Sequence, residues 1–324
     1  MKNIALVTFT FLFLIIVELF AQDNFKTIAY LSVRHWSTIP QLNFEKVSHV
    51  NLSFGNSNAT GYLEFSQDIK EVVVPAHKKN AKVFMAIGGG SITPAVTAIY
   101  TEGFKPENRD SFVHHMVNYV QINQLDGIDV DIENDALLIP YFNEFAVSLA
   151  TELHKNGKQI SAAVSKWSGG RINKTTLDVF DWINLMSYDV TAPWRPLNPG
   201  QHSPMIKMTN DFAYWNNDRG IDKKKINLGV PFYGYEFVST TKVNSLTFNE
   251  IVTLYPGSEN TDVVNGNLFY NGIPTIIQKT DYAFQNAGGI MFWEWGQDGI
   301  GNKSLLNTIY TEVESLKSKH SKKK

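Results

Sequence analysis

Eight short apolar runs, most of them separated by stretches with helical spacing, constrain this chain more than any other feature. They fall at residues 27–32, 49–54, 82–87, 127–132, 159–164, 182–187, 227–231 and 289–293. Between them, Phe112, Met116, Tyr119 and Val120 recur at helical spacing, as do Phe142, Phe145, Ala146, Leu149 and Leu153. Strands alternating with helices belong to the α/β class, and eight such units predict a (β/α)8 TIM barrel. A doubly wound open sheet is the other architecture compatible with this pattern, because periodicity does not reveal closure. One interval is long: about fifty residues follow Tyr233 before the last run. Asn265-Gly266 and Asn271-Gly272 within it are hairpin-turn signals. Residues 236–272 are therefore expected to form a small helix-plus-hairpin excursion after strand seven, with a helix over 277–284 leading to the last strand.

The chain's 324 residues suit one barrel of ~250 residues plus a short leader. Hydrophobic residues make up 43% and charged residues 19%, which favours a large core over disorder. A net charge of −2 gives no bias toward nucleic acid or anionic membrane. There is no cysteine, which removes disulfides, thiolate catalysis and Cys-based metal sites. Met1-Lys2-Asn3 is a short basic start, residues 4–17 are almost wholly apolar, and Ala21 offers a cut before Gln22. That layout is expected for a signal peptide over residues 1–21, with a membrane anchor as the competing reading. Residues 22–316 then form one catalytic domain, and 317–324 a basic disordered tail. The expected product is a secreted or periplasmic monomer without stable membrane association after cleavage.

The run Asp126-Gly127-Ile128-Asp129-Val130-Asp131-Ile132-Glu133 carries the chemistry. Strand side chains alternate faces, so Ile128, Val130 and Ile132 pack under the outer helices. Asp129, Asp131 and Glu133 share the other face, ~6.7 Å apart along the strand. In a barrel that face points inward, where an uncompensated carboxylate is costly. Calcium ligation would compensate it, but such sites usually sit on loops whose carbonyls also reach the ion. Acid catalysis accounts for it directly, since neighbouring carboxylates push their pKa values apart and one stays protonated near neutrality. Glu133 lies nearest the C-terminal end of the strand, where barrel active sites open, and Asp129 lies deepest. Asp126 has the opposite parity and is read as structural. The eight histidines show no metal spacing, and no cofactor or metal is expected. Gly88-Gly89-Gly90 lacks the Lys-Ser/Thr that a phosphate-binding loop requires.

This run closely resembles the DxxDxDxE signature of glycoside hydrolase family 18, the chitinases and endo-β-N-acetylglucosaminidases. In the right order, residues 84–90 (Phe84 to Gly90) resemble its third-strand SxGG segment, and Met186-Ser187-Tyr188-Asp189 its sixth-strand MxYD. Gly288-Gly289-Ile290-Met291-Phe292-Trp293 resembles its last strand. The resemblance runs from about Thr27 to Val313. It implies a retaining mechanism assisted by the substrate, outside the usual two-carboxylate scheme. Glu133 is then the acid and later the base, while Asp131 orients the 2-acetamido group and stabilises an oxazolinium ion. Tyr188 bonds the acetamido carbonyl, Asp189 adds nearby polarity, Trp293 floors the sugar, and Asp129 tunes Asp131. Ala86 stands where the family commonly carries a serine that supports the deepest aspartate, which puts the charge balance at Asp129 in question.

Taken without the resemblance, Tyr188 and Trp293 read equally as barrel packing. Trp36, Trp167, Trp194 and Tyr233 follow strand ends and are candidates to stack further sugars or to pack ordinarily. The implied partner is an oligo- or polysaccharide containing N-acetylglucosamine, with chitin the leading substrate. An endo-β-N-acetylglucosaminidase acting on N-glycan cores and a non-catalytic lectin on the same barrel are the alternatives.

Overall fold

The computed structural model describes residues 25–322, so the expected signal peptide lies outside the described residues. Every apolar run forms a strand: β1 (Lys26–Ser32), β2 (His49–Ser53), β3 (Lys82–Gly89), β4 (Gly127–Ile132), β5 (Gln159–Val164), β6 (Trp182–Leu185), β7 (Ile226–Pro231) and β8 (Gly289–Trp293). They close in the order β1-β8-β7-β6-β5-β4-β3-β2. Closure shows in the register, where Ile28 of β1 pairs in parallel with both His49 of β2 and Met291 of β8. The fold is a (β/α)8 barrel, and the open-sheet alternative is excluded.

Local chemistry sets the helix boundaries. Pro94 opens the helix Pro94–Gly103, where Thr93 accepts from the Val96 amide at 3.2 Å. Pro in the first turn loses no helical hydrogen bond, and a threonine cap satisfies one that the helix leaves open. The helices Pro106–Ile122 and Phe142–Lys155 bury Phe112, Met116, Val120, Phe145, Leu149 and Leu153 in one core with Ile128, Val130 and Ile132 of β4. Each such side chain contributes about 1.5–3 kcal/mol through burial. Inside the barrel, His49, Phe84 and Trp182 fill the lower layer, with Phe84 and Trp182 centroids 5.3 Å apart. Above them the lumen turns polar at Asp129, Ser161, Asn184 and Asn227, all fully buried.

Gly88, with φ at +99°, passes the β4 backbone so closely that a Cβ would lie 2.3 Å from the Asp131 carbonyl oxygen. Only glycine meets both demands there.

The excursion differs in detail from the expected helix plus hairpin. It starts earlier, at Tyr233, and forms a four-stranded antiparallel sheet. The order is Lys242–Thr247, Tyr233–Ser239, Leu268–Phe269, Val263–Val264, with the helix Phe248–Leu254 between its halves. Asn265-Gly266 turns the last hairpin with φ of 53° and 74°. Asn271-Gly272 makes no hairpin. Gly272 caps the helix Ile273–Asn286, and Asn271 is buried between the Ser203 carbonyl (3.1 Å) and the Lys279 ammonium (2.6 Å). Those long-range partners override the turn preference.

The basic tail also departs from expectation. Residues 317–321 continue the helix Leu305–Ser321. Buried Ile309, Val313 and Leu316 anchor it, and the His320 ring lies 5.7 Å from that of Phe284. No described helix is long and apolar enough to cross a membrane.

Candidate active site

The site is built upward from Asp129. Tyr30 Oη donates to its Oδ2 at 2.6 Å, while Ser161 Oγ and Asn184 Nδ2 donate to Oδ1 at 2.5 and 3.2 Å. Asn227 Nδ2 in turn donates to Asn184 Oδ1 at 3.0 Å. Burial raises Asp129 to about 6, against the lowering pull of the Ser161, Tyr30 and Asn184 hydrogen bonds. The tyrosine and both polar donors come from strands that otherwise read as apolar, and their inward parity is the sequence signal that could have found them.

Asp131 lies two residues on, 3% exposed, and its Oδ1 has no hydrogen-bond partner among the described residues. Burial holds its carboxyl well above the ordinary range, reinforced by the charges of Glu133 and Asp129 and by a hydrogen bond with Glu133. Glu133 ends the column just past β4, partly buried. Burial and the nearby Asp189 charge raise it to about 7, while the Asp131 hydrogen bond pulls it down. The column is therefore a graded set in which the outermost carboxyl keeps a transferable proton near neutrality. Asp126, on the other face, accepts from the Val83 amide and pairs with His77, both at 2.8 Å, a structural tie.

The remaining residues frame this column. Trp293 ends β8 with its ring 5.6 Å from both Tyr30 and Phe54, stacked at 20° on the latter. Tyr188 packs in the same cluster with its ring edge toward Tyr233 at 6.2 Å. Burial raises the Tyr188 hydroxyl well above its usual range, with Asp131, Asp189 and Glu133 adding to the effect. Asp189, in a left-handed conformation at φ 62°, receives three donors on Oδ1: Tyr233 Oη at 2.7 Å, Tyr235 Oη at 3.0 Å and His202 Nδ1 at 3.2 Å. Tyr235 and His202 went unrecognised in the sequence because they lie in an irregular loop and in the excursion.

The aromatic candidates separate cleanly. Tyr233 is 8% exposed and clamps Asp189, so it is not an open stacking platform. Trp36 is buried against Phe65, with its indole donating to Glu71 at 2.9 Å, and belongs to the core. Trp167 is 44% exposed and lines a small pocket of about 50 Å³ with Glu133, Ala163, Ser165 and Met186. Trp194 is 66% exposed on the loop after Asp189. Among the described residues no group of three or more His, Asp or Glu is placed to hold a metal ion.

The profile of Glycosyl hydrolases family 18 matches residues 26–298, which include every residue of this site. The chain belongs to that family. This family 18 barrel is similar to the chitinase ChiB of Flavobacterium johnsoniae, at 35% identity and a TM-score of 0.86, covering 90% of this chain and 95% of the other. A chitinase of Bacteroides thetaiotaomicron follows at 28% identity and TM-score 0.78, over 89% and 96%. In sequence it matches a chitinase-like effector of Moniliophthora roreri at 27% over 80% of this chain and 69% of the relative. It also matches a di-N-acetylchitobiase of Mus musculus at 26%, covering 57% of that protein. The family membership and these likenesses make the chain a chitin-related glycoside hydrolase.

Proposed function

We propose that this family 18 enzyme hydrolyses β-1,4-linked N-acetylglucosamine in chitin or chito-oligosaccharides, with retention and with the substrate's own acetamido group as nucleophile. The observation that carries the reading is the graded column, with Glu133 at about 7 next to Asp131, whose Oδ1 is unsatisfied. With a sugar over Trp293, Glu133 gives its proton to the glycosidic oxygen as that oxygen leaves C1. The acetamido carbonyl oxygen then bonds to C1 and forms an oxazolinium ion, whose N–H Asp131 accepts. Water attacks C1, Glu133 takes its proton back, and the β anomer leaves. Tyr188 orients the acetamido oxygen, and Asp189, clamped through Oδ1, keeps Oδ2 for a donor on the sugar. We place the mature enzyme outside the cytoplasm, as a monomer beginning near Gln22. Among the matched relatives is a secreted chitinase of Penicillium expansum, which agrees with that location.

The test is mass spectrometry of products after incubating residues 22–324 with chito-oligosaccharides and with a high-mannose glycoprotein. The expected result is short N-acetylglucosamine oligomers from the first and an unchanged second. Release of an intact glycan, leaving one N-acetylglucosamine on the protein, would replace the chitin reading with the glycan-core one. Binding without products would make the protein a lectin.

A further inference from the structure

Asp129 sits on a rung of the barrel whose two neighbours are unequal. Its register partner on β3 is Ala86, which has no side-chain donor, and its partner on β5 is Ser161. Ser161 Oγ reaches Asp129 Oδ1 at 2.5 Å, and Asn184 from β6 reaches the same oxygen at 3.2 Å. Both donors are fully buried, as is the acid they serve. Tyr30 Oη donates to the other oxygen, and Asn51 from β2 adds a further pull toward the charged form.

We propose that Ser161, backed by Asn184, is a positioning residue for Asp129, supplying from β5 the hydroxyl that β3 lacks at Ala86 and fixing the carboxylate beneath Asp131. Donors to a carboxylate favour its charged form. That charge in turn raises Asp131, which then keeps its proton and its bond to Glu133. The titratable groups facing Asp129 are Tyr30 on β1 and Asp131 above it, with Glu133 and Tyr188 acting through Asp131. His49 lies in the layer below, against Phe84 and Trp182. The link to catalysis rests on the proposed function, whereas the hold on Asp129 does not.

The test reads the two separately. A carbon-13 carboxyl NMR titration follows Asp129 in the full mature chain, in Ser161→Ala, and in the double variant with Ala86→Ser. Loss of one donor to a charged group is expected to raise the Asp129 midpoint by about one pH unit. Ala86→Ser is expected to bring it back, because it offers a hydroxyl to the same rung from the opposite strand. The acid limb of kcat/KM on chitotetraose should move up and back in parallel. An unmoved midpoint, even with a lower Tm, would reduce Ser161 to packing and overturn the proposal, as would a double variant that stays shifted. If Ser161→Ala fails to fold, Ala86→Ser alone decides, since a lowered midpoint supports the proposal and an unchanged one contradicts it. Absence of turnover in the parent would sink the function and leave the titration to decide the positioning.

Discussion

Burial and the Asp189 charge raise Glu133 to about 7, while burial and the Glu133 charge hold Asp131 well above its usual range, so the two carboxyls do not both ionise at neutral pH. Glu133→Gln keeps the shape and removes the proton, so turnover should fall by about 10²–10⁴ with oligosaccharide binding still measurable by calorimetry. Substantial retained activity would remove Glu133 from the mechanism. The pH dependence has a definite sign. Glu133 is raised from 4.5 to about 7 in the fold, so its contribution to stability is full below about 4.5 and is lost as pH rises through about 7. Glutamine cannot ionise. The Tm of Glu133→Gln relative to the parent should therefore climb between pH 5 and pH 8, and a flat difference across that window would contradict the raised value. Parity along one strand was enough to put Asp129, Asp131 and Glu133 on one face in the sequence. His202 was not legible, because it reaches Asp189 from thirteen residues away through a loop without any period.

Elements place the residues, and close strand passages do much of that work. The β3–β4 pair brings Gly88 against the Asp131 carbonyl with φ at +99°, so an alanine there meets both a forbidden conformation and a clash. Gly88→Ala is expected to lower Tm by about 5 °C or more and to depress kcat through Asp131, as read by calorimetry and initial rates. An unchanged Tm would show that the strands part without cost. The strands themselves were legible because barrel strands, buried on both faces, read as continuous apolar runs. The excursion was only half legible. Asn265-Gly266 obeys its local preference, whereas Asn271-Gly272 is captured by Ser203 and Lys279, partners no local rule contains. The same excursion delivers Tyr233 and Tyr235 to Asp189, so it forms one wall of the site.

At the scale of the whole molecule, closure converts one strand's alternation into a buried polar column open at its C-terminal end. Eight repeating units and a core free of disulfides were evident from composition and spacing. The helical continuation through residues 317–321 was not, because a basic run carries no sign of the apolar residues behind it that dock the helix. If the substrate's acetamido group attacks C1 above Asp131, as proposed, a stable thiazoline mimic of the oxazolinium ion should occupy the same place. Competitive inhibition of chito-oligosaccharide hydrolysis is expected, with binding ~10²-fold or more tighter than substrate, as analogues of high-energy intermediates bind. Steady turnover undiminished by the thiazoline at concentrations well above KM would contradict it.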